Sequence, residues 1–132
     1  MPLMWSDSLL TGVTVIDSQH KELFRRINEL LDYAGKSREK VQEITNFLQN
    51  YIINHFGTEE RLMVKADYPD YPAHKSAHEK YSQEFKELKD SIDKEGINVN
   101  LTVKMNHLLI DWWINHINKV DKKMAEFIRD KI

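Results

Sequence analysis

Glycine and proline are placed so sparsely along this chain that long helices are what fits between them. The prolines stand at 2, 69 and 72, and the glycines at 12, 35, 57 and 96. Such residues turn or stop the backbone, and the stretches between them carry apolar residues at helical spacing. Leu23, Phe24, Ile27, Leu30 and Leu31 predict a first helix over about 18–34, capped by Asp17 or Ser18 and stopped by Gly35. Ser37 is placed to cap a second helix over about 38–65, with Val41, Ile44, Phe47, Leu48, Tyr51 and Ile52 on its apolar face. Gly57 inside that helix costs about 1 kcal/mol against alanine, which predicts close packing nearby. A turn over 67–72 leads to a third helix over about 72–94, with Pro72 in its first position and Tyr81, Phe85, Leu88 and Ile92 along it. Gly96 and Asn98 end it. A fourth helix is predicted over about 100–117, through Val103, Leu108, Leu109, Trp112 and Trp113, and a short C-terminal helix over about 121–131. Residues 1–17 read as an extended N-terminal arm anchored by Trp5, Leu9, Val13, Val15 and Ile16. The expected fold is all-α: an up-down-up-down four-helix bundle forming one domain over 1–132.

Composition removes several classes of function. The net charge is −2, with lysines and acids mixed along the chain, so no basic surface is offered to nucleic acid. The absence of cysteine excludes disulfides, iron–sulfur clusters and thiolate zinc sites, so any metal must be held by histidine and carboxylate. The first residues have no basic segment followed by an apolar run, as a signal peptide would. The richest apolar stretch, Leu108 to Ile114, is interrupted by Asp111 and is too short to span a membrane. A cytoplasmic protein without membrane insertion is the expectation.

Against that background the histidines stand out. His55 and Glu59 are four residues apart, as are His74 and His78; His116 precedes Asp121 by five, and His20 lies near the start of the first helix. Four-residue spacing stacks two side chains on one helix face. Taken singly, each of these residues has an ordinary explanation: a core histidine, a solvated Glu59 beside Glu60, an Asp121 cap. Together they place donors on every helix of the bundle, each aligned with the apolar face. Burying them unpaired would be costly, whereas metal binding satisfies them jointly. Seven nitrogen and oxygen donors exceed a four-ligand zinc site and suit two transition-metal ions sharing bridging carboxylates. His107 lies nine residues before His116, half a turn out of phase on a regular helix, and is excluded as a ligand. Asp121 would sit about 140° away from His116 on a regular helix, so a π-bulge or a break between Ile117 and Val120 is required to bring it inward.

The stretches Ile16-Asp17-Ser18-Gln19-His20-Lys21, His55-Phe56 with Glu59-Glu60, His74-Lys75-Ser76-Ala77-His78, and Asp111-Trp112-Trp113-Ile114-Asn115-His116-Ile117 with Asp121 resemble the hemerythrin family, in its single-domain bacterial branch. The resemblance runs through nearly the whole chain in order. It implies two iron ions in an oxo- or hydroxo-bridged, non-haem di-iron centre. His74, His78 and His116 would hold one iron, His20 and His55 the other, and Glu59 and Asp121 would bridge them. The two-histidine iron is then one ligand short, which is what a small molecule needs in order to bind. The resemblance also implies an oxygen pocket walled by Leu23, Phe56, Trp112 and Ile117. One departure is Met124, where many relatives carry tyrosine three residues after the bridging aspartate.

Reversible dioxygen binding, for storage, delivery or buffering, is therefore the expected function, with an oxygen-consuming enzyme as a recipient. The alternatives are a di-iron oxygen or nitric-oxide sensor, and a di-iron nitric-oxide or peroxide reductase. Ferritin-like oxidase sites are carboxylate-rich and carry Glu-x-x-His; no glutamate here stands three residues before a histidine. Five imidazoles with two carboxylates favour binding over oxidation chemistry, and no nucleophile–base pair is apparent. The chain is expected not to be an enzyme.

Overall fold

Ser37 and Asn98 begin two of the helices by the same device. The Ser37 hydroxyl accepts from the Lys40 amide at 3.2 Å, and the Asn98 carboxamide oxygen accepts from the Leu101 amide at 2.9 Å. The computed structural model describes residues 3–132, so Met1 and Pro2 of the predicted arm lie outside the described residues. Helices α1 (Thr14–Tyr33), α2 (Arg38–Lys65) and α3 (Tyr71–Glu95) are followed by α4 (Val99–Asn106), α5 (Trp112–His116) and α6 (Lys122–Ile128). Gly35 and Gly96 take φ of +77° and +74° just beyond α1 and α3, a conformation open to glycine. Two π-helical turns, His107–Asp111 and Ile117–Asp121, join α4, α5 and α6 without a loop. These three helices and the two turns make the fourth member of an all-α four-helix bundle, and no strand occurs among the described residues.

Three details differ from the sequence-based expectation. Helix α1 begins at Thr14 rather than near Ser18, because Asp17 does not cap its start. Its carboxylate instead folds back to accept from the Thr11 amide and hydroxyl, both at 2.8 Å, and from the Gly12 amide at 3.1 Å. The arm is not wholly extended: Asp7–Leu9 is a 3-10 turn, and Val15 is exposed while Leu3, Leu9, Val13 and Ile16 are buried. At Gly57 the sole neighbour an added Cβ would meet within 4 Å is the Arg61 guanidinium, so no helix packs closely there. Of the two distortions expected after His116, a π-bulge or a break, the π-turn Ile117–Asp121 is the one present, and the C-terminal helix follows it directly.

The bundle has two apolar clusters with a polar layer between them. Leu23, Phe56, Tyr81, Trp113 and Ile117 belong to the larger cluster; Ile16, Met63, Met124 and Ile128 belong to the smaller. Along α1 the order is Ile16, His20, Leu23; along α2 it is Phe56, Glu59, Met63; along the last run it is Ile117, Asp121, Met124. Each of these three runs thus passes through apolar packing, one polar level, then apolar packing again. Large apolar area removed from water on both sides holds a level that is unfavourable by itself. No helix among the described residues is long and apolar enough to cross a membrane.

Candidate metal centre

The polar level gathers the seven donors named from the sequence. His20, His55, Glu59, His74, His78, His116 and Asp121 are all buried. One group, within 4.8 Å ligand atom to ligand atom, is Glu59, His74, His78, His116 and Asp121; a second is His20, His55, Glu59 and Asp121. Both carboxylates belong to both groups, and their oxygens divide between them. Glu59 Oε1 lies 3.1 Å from His78 Nε2 and 3.5 Å from His74 Nε2, while Oε2 lies 3.3 Å from His55 Nε2 and 3.6 Å from His20 Nε2. Asp121 Oδ1 lies 3.1 Å from both His74 and His116 Nε2, while Oδ2 lies 3.2 Å from His20 Nε2. The geometry is three histidines on one side and two on the other, with a carboxylate oxygen turned to each.

These close approaches are not aligned as hydrogen bonds. Nε2 of all five histidines and all four carboxylate oxygens are buried without a hydrogen-bond partner. Unpaired buried polar atoms are costly and call for an explanation. Lone pairs converging from imidazole and carboxylate fit a pair of metal ions, each taking the nitrogen and oxygen ligands that first-row transition metals accept.

The electrostatics agree. Burial alone would push both carboxyls up, but the surrounding imidazoles, His55 first for Glu59 and His116 first for Asp121, hold both well below the usual carboxylate range. Burial likewise pushes the imidazoles down, yet Asp121 and Glu59 outweigh it at His20 and His74 and bring each to about 9. His55 stays lowered by burial. The site is built around negative charge that two cations would offset.

Local structure places each donor. Helical spacing of four puts His55 over Glu59 and His74 over His78. Asp121 comes inward because the Lys122 amide reaches back five residues to Ile117 O, so the π-turn absorbs the extra residue. His107 is outside the site: its side chain is 75% exposed and lies 4.0 Å from Asp111. The first π-turn lies between it and His116, so its exclusion stands on exposure rather than on regular helical phase.

Several residues next to the donors were not singled out by sequence. Gln19 Oε1 accepts from His55 Nδ1 at 2.7 Å, and Gln19 Nε2 donates to Thr58 Oγ1 at 3.2 Å. Glu60, named from the sequence only as the neighbour of Glu59, accepts from His78 Nδ1 at 2.9 Å. Such partners orient ligating imidazoles and raise their basicity. Their adjacency to His20 and Glu59 was the available signal, since a residue 100° around the helix from a donor faces the neighbouring helix. Trp113 was counted as core; it is fully buried, with its ring 6.1 Å from His55 and 6.4 Å from His20. Of the expected pocket residues, Leu23, Phe56 and Ile117 are buried and Trp112 is half-buried. Phe56 stacks on His78 at 3.8 Å and Trp112 on His116 at 4.3 Å, while Phe56 also lies 5.9 Å from His55. Met124 is fully buried in the smaller apolar cluster.

Five histidines and two carboxylates in the core of a four-helix bundle define a helical metal-binding domain. The family model described as "Hemerythrin HHE cation binding domain" matches residues 11–128, and the chain belongs to that family. It is 36% identical to the bacteriohemerythrin of Pseudomonas aeruginosa, over 98% of this chain and 88% of that protein. It is 34% identical to the bacteriohemerythrin of Methylococcus capsulatus, over 85% of each. A crystal structure of wild-type hemerythrin superposes with a TM-score of 0.85 at 31% identity, covering 96% of this chain and 97% of that one.

Proposed function

We propose that this chain binds dioxygen reversibly at a non-haem di-iron centre. His74, His78 and His116 would hold one iron and His20 and His55 the other, with Glu59 and Asp121 shared between them. The observation that carries this reading is the unequal division of the donors about two shared carboxylates. With the carboxylates counted equally, the two-histidine side would supply one protein ligand fewer and so leave a position that a small molecule can take. Iron bound there in its reduced form would supply the electrons for that binding. The residues of the chain do the rest: they hold the ions, exclude water and keep the site from reacting further.

Exclusion of water follows from the larger cluster, to which Leu23, Phe56 and Ile117 belong; Phe56 stacks on His78 and Trp112 on His116. An apolar wall disfavours the escape of a charged oxygen species, and so favours release of the neutral gas. Two carboxylates against five neutral imidazoles leave modest anionic charge at the metals, which favours binding over oxidation chemistry. The family membership and the bacteriohemerythrin relatives support the same reading.

The test is anaerobic reduction of purified, iron-loaded protein followed by exposure to air, with oxo-to-iron(III) charge-transfer bands and metal content measured together. Two irons per chain and spectra that return on removing oxygen support a carrier. Irreversible bleaching, or zinc in place of iron, overturns it.

A further inference from the structure

We propose that Tyr81 is a positioning residue for the ligand-binding side of the centre. Its phenol fastens the Trp113 indole against His20 and His55, and so fixes the space an exogenous ligand can use. The inference rests on the di-iron reading above, and in particular on the two-histidine side being the open one.

Trp113 Nε1 donates to the Tyr81 oxygen at 2.8 Å, and Tyr81 in turn donates to the Leu108 carbonyl at 3.0 Å. Tyr81 stands three residues beyond His78 on α3. Leu108 lies in the first π-turn, whose existence the placement of the donors does not by itself require. In that turn the Trp112 amide reaches back five residues to His107 O. A regular α-helix would have sent it to Leu108 O, four residues back. The carbonyl so passed over is the one Tyr81 uses. The hydrogen bonds therefore run from the indole beside the two-histidine group, through Tyr81 on the helix of His74 and His78, to a helix irregularity.

Neither polar atom has a role among the donors. The Tyr81 oxygen is taken up by its hydrogen bonds to Trp113 and Leu108, and burial pushes its phenol up, so it stays a neutral donor. A buried indole N–H needs a partner and finds it in the Tyr81 oxygen, whose own O–H is satisfied by the Leu108 carbonyl. Rotating Trp113 away would leave the indole N–H unpaired. Its faces are held as well: Phe56 lies 5.7 Å away at 24°, and Trp112 5.0 Å away at 80°. A large ring held by two aromatic neighbours and one hydrogen bond is a rigid wall, and a rigid wall beside an open coordination position discriminates by size.

The experiment uses oxidised, iron-loaded protein and azide as the probe. Association rates are compared between the native chain, Tyr81→Phe and Trp113→Leu, with iron content and tryptophan emission recorded for each. Tyr81→Phe keeps the ring and removes the fastening. It is expected to retain two irons, to shift the Trp113 emission, and to raise azide association by about fivefold, the order one lost hydrogen bond is worth. Trp113→Leu, which removes the wall, is expected to raise it further. Unchanged azide association in Tyr81→Phe with two irons bound overturns the proposal. If Tyr81→Phe does not load iron, Trp113→Phe cuts the same hydrogen bond from the other side, and unchanged association there overturns it equally. Azide binding to oxidised iron does not depend on reversible oxygenation. A native chain that fails to oxygenate reversibly, with azide rates still ordered by these variants, sinks the carrier reading and leaves the positioning role standing.

Discussion

His116 Nε2 lies 3.1 Å from Asp121 Oδ1, although five residues separate the two along one helical run. The π-turn Ile117–Asp121 makes that contact by absorbing one residue. Deleting the exposed Asn118 would change the spacing to four, the same as His55–Glu59, and let a regular α-helix keep Asp121 inward. The deletion is expected to retain two irons per chain. Inserting an alanine after Asn118 would swing Asp121 out of the site, and the iron content should fall below two. Metal analysis with far-UV circular dichroism decides; loss of iron on deletion would show that the wider turn itself is needed.

Glu59 and His78 differ from His107 in what their removal leaves behind. Glu59→Ala takes one oxygen from each histidine group, and His78→Ala takes one nitrogen from the larger. Both are expected to lose at least one iron. His107→Ala, at an exposed position, should retain both. A His107→Ala protein short of iron would contradict the assignment.

Gln19 and Glu60 receive the Nδ1–H of His55 and His78. Removing such partners typically weakens metal affinity by about 10–100-fold without removing a ligand. Gln19→Ala and Glu60→Ala are therefore expected to bind iron more weakly in competition with a chelator while still reaching two irons at excess metal. Affinities equal to the native chain would show that these contacts do not orient the imidazoles.

The metal-free protein should respond to pH in a defined direction. His20 and His74 are raised from 6.5 to about 9, so their contribution to stability is full below about 6.5 and is lost as pH rises through about 9. Glu59 and Asp121 are lowered from 4.5 and 3.8, so theirs is present above those values and is lost in acid. Denaturant midpoints of metal-free protein should therefore be higher at pH 6 than at pH 10. Metal loading should release protons and weaken as pH falls through the same histidines. A metal-free midpoint that rises between pH 6 and pH 10 would show the opposite sign.

Much of this was legible in the sequence because the spacing of donors and the spacing of apolar residues share one period. Gly35, Gly96 and the cap Ser37 marked helix ends within a residue or two, whereas Asn98, read as ending the third helix, caps the start of α4. The start of α1 was misjudged because Asp17 bonds backward to Thr11 and Gly12, a local choice between two hydrogen-bonding patterns that composition does not distinguish. The five-residue step to Asp121 announced a distortion. The first π-turn had no such marker, since no donor pair spans it.

The sequence by itself determined the helical bundle and the seven donors, because four-residue repeats fix which side chains share a helix face whatever surrounds the helix. Tertiary structure alone decided which carboxylate oxygen turns to which histidines, and that Glu60 meets His78. It also decided that Tyr81 reaches across to Leu108 and Trp113. Those contacts lie between helices, where relative rotation and translation set a distance to within an ångström. Periodicity along one helix carries no information about that.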